Sequence, residues 1–316
     1  MYRTILVIGG AGFIGSHIVD QLLEERCRRI IIYDNFCRGT RKNIEHALKD
    51  PRVEVFEIGG DKLQEDILDK AVEQSNAVID LAALWLLQCY EYPKAAFETN
   101  IRGTFNVLDS CRKHGIKKLV YSSSASVYGN AVEIPMTEEH SYNNETFYGA
   151  TKIASEHMFK AYHYRYGLEG TCLRYMNVYG PRQDFKGAYV AVVVRMIDNV
   201  LSNKPPVVYG DGSQSYDFIH VSDVARANIL SLKTETPFGF YNVGTGIKTS
   251  IKEVAEMILS ICNSSIEIQY EPEGKTFVQD RVGSIVASST DLDFQAKTTL
   301  LDGLTDLINW RKNVLQ

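Results

Sequence analysis

Tyr148 and Lys152 stand four residues apart in FYGATK (147–152), a spacing that sets both side chains on one face of a helix. A free tyrosine, with a pKa of about 10, stays protonated at neutral pH; as a base it needs a positive charge within about 4–6 Å. Lys152 lies one helical turn on and can supply that charge. Y-x-x-x-K arises in many helices, so the pair becomes a proton-transfer device only beside a hydride acceptor and a second hydroxyl. YSSSASVYG (121–129) offers the hydroxyl, because its serines close an apolar run and can orient a substrate alcohol.

The hydride acceptor has its own signature. RTILVIGG runs into GGAGFIGS (9–16), with Gly9, Gly12 and Gly15 spaced G-x-x-G-x-x-G and Gly10 as an extra glycine. Glycines allow a tight turn and let backbone N–H groups approach a pyrophosphate at a helix N-terminus. The spacing differs from G-x-G-x-x-G, but it sits in the first strand-to-helix turn. About twenty residues on, the second apolar run ends at Asp34, where a carboxylate accepts both ribose hydroxyls and repels a 2′-phosphate. This favours NAD over NADP, although Arg38, Arg41 and Lys42 lie close by and an arginine there could receive a phosphate. The cationic ring of oxidised NAD would also favour ionisation of Tyr148.

The elements that must position these groups read as an α/β chain. RTILVIGG, RRIIIYDN, VEVFEIGGD, AVIDLAAL (77–84), KKLVYSSS (117–124) and GLEGTCLRYMNVYG (167–180) are apolar runs of the kind buried on both faces of a parallel sheet. SHIVDQLLEER and AAFETNIRGTFNVLDSCRKHG carry helical periodicity between them. The alternation predicts a doubly wound, Rossmann-type parallel sheet whose strand ends share one ligand-binding edge. We therefore expect a dinucleotide-binding domain over 1–178. Past YGPRQ (179–183) the rhythm changes, and 179–316 is expected to form mainly a smaller substrate-binding lobe, with FYNVGTG (240–246) able to rejoin the main sheet as a strand.

Composition narrows the partners. With 316 residues, 45% apolar and 23% charged, the chain is an ordinary globular protein with room for a large core. A net charge of −5 without basic runs argues against nucleic acid or an anionic membrane as partner. No apolar run is long enough to span a bilayer. Six widely spaced cysteines without a C-x-x-C pair, and an opening that reads into a strand instead of a leader, suggest reduced thiols and a cytoplasmic location. No metal site is expected.

Taken together, GGAGFIGS, YDN, LAA, SSSASVYG, YGATK, LRYMNVYGPRQ and YGDGSQSYDFIHVSDVARA resemble the extended short-chain dehydrogenase/reductase family, in its nucleotide-sugar epimerase/dehydratase branch, over nearly the whole chain. The resemblance implies Tyr148 as catalytic base and Lys152 as the partner that lowers its pKa. Counting back from VYG, it implies Ser124 as the third member. It places Gly9, Gly12, Phe13, Ile14 and Gly15 along the dinucleotide, with Asp34, Asn35 and Arg38 at its ribose. Asp61 and Lys62 would lie near the adenine, and Ala82, Ala83, Asn100, Ser122 and Tyr175 further along the cofactor. Ser124, Asn177, Tyr209 and Arg281 would contact the nucleotide sugar.

Within that branch, 4,6-dehydratases carry Asp-Glu after the catalytic hydroxyl, and decarboxylases usually keep the Glu. Here the positions are Ala125 and Ser126, which most resembles 4-epimerases of UDP-sugars. A net oxidation, dehydration or decarboxylation through the same 4-keto sugar is the alternative, and a non-catalytic dinucleotide sensor is a further one. Three departures bear on the substrate: Phe147 in place of proline, Tyr216 in place of an arginine, and the apolar LWLLQC (84–89). In relatives, helices matching 94–113 and 149–166 make a dimer contact, so a homodimer is expected.

Overall fold

The apolar runs become strands covered on both faces. Ile5, Val7, Ile30, Ile32, Ile79, Val120 and Leu173 bury into one layer, while Leu6, Ile8, Ile31, Tyr33, Val78, Leu119 and Tyr121 bury into the other. This two-residue alternation follows from the pleat, and each fully buried Val, Leu or Ile contributes about 1.5–3 kcal/mol.

The computed structural model describes residues 2–185, 191–272 and 279–315. Strands β1 (Thr4–Ile8), β2 (Arg29–Tyr33), β3 (Val53–Val55), β4 (Ala77–Asp80), β5 (Lys118–Ser124) and β6 (Gly170–Tyr175) precede the short β7 (Asn177–Tyr179), β8 (Val207–Tyr209), β9 (Ser215–Tyr216) and β10 (Phe218–His220). Then come β11 (Phe238–Val243), β12 (Thr249–Ser250), β13 (Gln269–Glu271) and β14 (Asp280–Arg281). Seven strands form one parallel sheet in the order β11-β6-β5-β4-β1-β2-β3. The order reverses between β1 and β4, the switch point where doubly wound sheets bind ligands outside the carboxyl ends of their strands. FYNVGTG thus contributes β11, which pairs with β6 from Phe238↔Gly170 to Val243↔Tyr175.

The expected single strand over 167–180 is broken at Met176. Met176 N–H still donates to Val243, but Asn177 N–H donates to Asp217, so the chain leaves the main sheet and pairs with β10 as β7. A third core lies beyond. Val193, Val194 and Ile197 of helix Val192–Leu201 pack with Val254 and Ile258 of Ile251–Ile261 and with Leu304 and Leu307 of Leu300–Leu315. Asp217 ties this region to the end of β11 by accepting Thr245 N–H (2.8 Å), Thr245 Oγ1 (2.7 Å) and Gly246 N–H (2.9 Å).

The predicted helix over 95–115 also departs from regularity. A π-helical turn, Phe97–Arg102, interrupts it before Gly103–Lys113. Such turns concentrate at functional sites.

Candidate active site

At the end of β1, Gly9 takes a left-handed φ of +81° and a Cβ at Gly15 would stand 2.1 Å from the Gly9 carbonyl oxygen, so only glycine lets helix Phe13–Leu22 start this close to the turn. Gly12 caps that helix and has no side chain to offer. The first-turn N–H groups of Phe13, Ile14 and Gly15 therefore face the strand edge as donors with a positive dipole end behind them. Gly9 backs onto Ala82, the residue after the β4 turn, with a Cβ site 3.1 Å from Ala82 N.

Asp34, after β2, accepts the N–H groups of Ala11 (2.9 Å) and Phe36 (2.8 Å). Burial raises its pKa, and the N–H groups of Phe36, Ala11 and Gly12 pull against that rise. A carboxylate offers about four acceptor sites, so both oxygens keep capacity for ribose hydroxyls. An uncapped, glycine-framed helix end with an oriented carboxylate twenty-odd residues on fits a dinucleotide. Asn35 turns its Oδ1 to Cys37 N–H (3.1 Å), and Asp61 takes Leu63 N–H (2.9 Å). Lys62 is different: its ammonium is buried against Asp80 (3.3 Å) and Thr104 (3.2 Å), which leaves its backbone to meet a ligand.

The two arginines near Asp34 are engaged. Arg38 pairs with Asp184 at 2.9 Å and lies over the Trp85 ring at 5.1 Å; Arg41 pairs with Glu57 at 2.9 Å.

Ser124 ends β5 and Tyr148 opens helix Phe147–Tyr166, which Thr146 caps by accepting Gly149 N–H at 3.0 Å. A Cβ at Gly149 would stand 2.4 Å from the Ser126 carbonyl, so glycine in YGATK lets the helix end press against the strand end. The result sets the Ser124 hydroxyl, which donates to Ser126 Oγ at 3.1 Å, close enough to Tyr148 to favour its ionised form. Ser124 Oγ also accepts Ser126 N–H at 3.1 Å. Tyr148 sits in the first helical turn, where the dipole favours an anion.

Lys152 is 2% exposed. Its Nζ donates to the Ser122 carbonyl (2.6 Å) and reaches Tyr121 OH (3.4 Å), and it lies 5.7 Å from the centroid of the Tyr148 ring. Burial, then the charge of Lys62, lowers its pKa to about 8, against the pull of Asp80, Cys89 and Glu156. Burial raises Tyr148 to about 12, opposed by Ser124 and the Arg281 charge. Ser124, Tyr148 and Lys152 are thus brought together, and Arg281 on β14 faces them beside Tyr216, its buried Nε without a hydrogen-bond partner among the described residues.

Other expected residues take supporting places. Asn100, in the π-helical turn, clamps the Leu84 backbone through both amide atoms (2.8 and 2.9 Å) and donates to Thr151 Oγ1 (3.1 Å), tying the β4 loop to the helix of Tyr148. Tyr175 bonds Asn228 at 2.9 Å and also meets Ser122. Ala83 follows Ala82 on the β4 loop, while Asn177 opens β7 and Tyr209 is 52% exposed at the end of β8. Sequence reading passed over Glu156, which lies four residues after Lys152 and takes Ser123 Oγ (2.6 Å) and Arg174 (2.8 Å). The signal was there in a charged residue inside the apolar run GTCLRY.

A family model described as the NAD dependent epimerase/dehydratase family matches residues 5–244. The chain belongs to this family, which is built on the extended short-chain dehydrogenase/reductase fold. It is 38% identical over 315 residues, 98% of each chain, to a protein of Methanocaldococcus jannaschii that carries the provisional name UDP-glucose 4-epimerase. Its fold is similar to that of the UDP-N-acetylglucosamine 4-epimerase of Methanobrevibacter ruminantium in complex with UDP-N-acetylmuramic acid (TM-score 0.92, 31% identity, 99% of both chains). It is similar also to the UDP-glucose 4-epimerase of Thermus thermophilus in complex with NAD (TM-score 0.87, 32% identity, 98% of this chain and 99% of that one).

Proposed function

We propose that this protein inverts C4 of a nucleotide-linked hexose, most simply a UDP-hexose, through a transient 4-keto sugar. The observation that carries the reading is the Ser124–Tyr148–Lys152 cluster at the ligand edge, followed by Ala125 and Ser126, which lack an acid or base for elimination. Tyr148 takes the proton of the C4 hydroxyl, Ser124 holds the C4 oxygen, and Lys152 stabilises the phenolate. When bound, NAD⁺ supplies a hydride acceptor and a cationic ring. The sugar presents its other face while Asn177, Tyr209 and Arg281 keep its nucleotide diphosphate anchored, and Tyr148 returns the proton to C4 oxygen. Proton and hydride both return, so the reaction needs no second substrate.

We assign the glycine turn, Asp34 and the β4 loop to NAD binding. A homodimer is proposed on helices Gly103–Lys113 and Phe147–Tyr166, because Phe105 (46%) and Tyr166 (55%) leave large apolar area exposed there. Among the described residues no helix is long and apolar enough to cross a membrane. We place the protein in the cytoplasm, where its six unpaired cysteines would stay reduced.

The test is a panel of UDP-, dTDP-, GDP- and CDP-sugars incubated without added cofactor and read by NMR. Interconversion of C4 epimers supports the proposal. Stoichiometric NADH release assigns a dehydrogenase instead, and a 4-keto-6-deoxy product a dehydratase.

A further inference from the structure

Beneath the site lies a second pair of charges that the proposed chemistry does not use. Lys62 and Asp80 are 2% and 1% exposed, and their charged atoms are 3.3 Å apart. A buried ion pair is a poor stabiliser, since apolar residues of the same size often do as well or better. Its place in the fold is more telling. Asp80 is the last residue of β4 and its Oδ1 accepts Ala82 N–H at 3.2 Å, so one oxygen holds the loop after β4 while the other holds Lys62. On the neighbouring strand Asp80 is in register with Tyr121, whose hydroxyl is 3.4 Å from Lys152 Nζ and whose ring lies 4.8 Å below it. Lys62, Asp80, Tyr121 and Lys152 form one buried file in which water screens little.

We propose that Lys62 and Asp80 are positioning residues that set the charge balance at Lys152. The proposal rests on the reading of Lys152 as the partner of Tyr148. The charged and titratable groups facing Lys152 are Tyr148 and Glu156 on its own helix, Tyr121 on β5, Asp80 on β4, Cys172 on β6, Lys62 after β3 and Cys89 on helix Leu86–Glu91. Among these Lys62 opposes the Lys152 charge while Asp80 supports it, so the two members of one buried pair pull on Lys152 in opposite directions.

The experiment is an NMR titration of isotope-labelled lysines in the purified protein, with dinucleotide content matched across variants and the Lys152 signal assigned from Lys152→Met. Lys62→Met should raise the Lys152 midpoint and Asp80→Asn should lower it, each by on the order of one pH unit. Lys62→Arg, which keeps the charge, should leave the midpoint at the parent value. Shifts of opposite sign are the result that loss of packing alone does not give. An unmoved midpoint in Lys62→Met, a displaced one in Lys62→Arg, or movement of Lys62→Met and Asp80→Asn in the same direction overturns the proposal. Three variants keep the test decisive if one fails to fold. Parent turnover on nucleotide sugars is scored separately, so a failed shift leaves the epimerase reading standing, and an inactive parent leaves the titration readable.

Discussion

Arg38 and Asp184, 146 residues apart in the chain, meet at 2.9 Å, and the same guanidinium lies over the Trp85 ring. The loop after β2 is thereby joined to the segment after β7 and to the first residues of LWLLQC. The arginine that could have greeted a 2′-phosphate is already neutralised, beside a carboxylate that repels one.

Cofactor preference should follow from that pairing. Small molecules released by heat and identified by mass spectrometry should be NAD(H). Asp184→Ala frees Arg38 and should narrow the preference for NAD over NADP, whereas Asp34→Asn should weaken NAD binding by roughly ten- to a hundredfold, the loss of charged hydrogen bonds. Release of NADP(H) alone from the parent would contradict the assignment of Asp34.

Turnover should depend on the cluster at the β5 edge. Tyr148→Phe removes the base and Lys152→Met its cation, and each should lower kcat by about 10²–10⁴-fold with folding intact. Circular dichroism and steady-state rates with the substrate found in the panel check this. A Tyr148→Phe protein that keeps parental turnover would leave only a binding role.

The pH dependence has a definite sign. Lys152 sits at about 8 in the folded chain against an ordinary 10.5, so turnover should fall as pH rises past about 8 and the cation is lost. Across that same window the unfolded chain holds a proton the folded chain has released. Stability from this site therefore rises with pH, by up to about 3 kcal/mol, and the rise should be absent in Lys152→Met. Urea melts of both proteins at several pH values measure the difference.

Glu156→Gln should be destabilising. Glu156 and Arg174 are 0% and 1% exposed, with three bonds of 2.6–3.0 Å joining Glu156 to Ser123 and Arg174. Uncompensating a buried charge of this kind costs about 3–5 kcal/mol. An unfolding midpoint equal to the parent's would show that the network carries no such load.

The proposed homodimer places association on one face. Phe105→Glu should convert a dimer to monomer in light scattering, as a charge is placed where an apolar surface is covered. A parent that is monomeric at micromolar concentration removes the homodimer.

What was legible in the sequence was local. The glycine turn, Asp34 at a strand end and Tyr148–Lys152 at helical spacing depend on residues within a turn or two of one another, and the parallel sheet follows from runs of apolar residues. The break at Met176 was not legible, because the competitor for the Asn177 N–H is the carbonyl of Asp217, forty residues away in sequence. Lys62 was placed at the cofactor by resemblance, and nothing in GGDKLQ announces that Asp80 will claim its ammonium. The bonds of the Asn100 amide to the Leu84 backbone and Thr151 were not legible either, since they arise in a π-helical turn that the helical periodicity of the segment does not announce.

That turn amounts to one surplus residue in the helix. Deleting a single position between Phe97 and Arg102 would restore ordinary winding, and about 100° of rotation per residue would swing Asn100 away from Leu84. The length of this segment, more than the identity of most residues in it, is what natural variation and engineering must respect; shortening it by one should unseat the β4 loop while leaving every strand of the sheet in place.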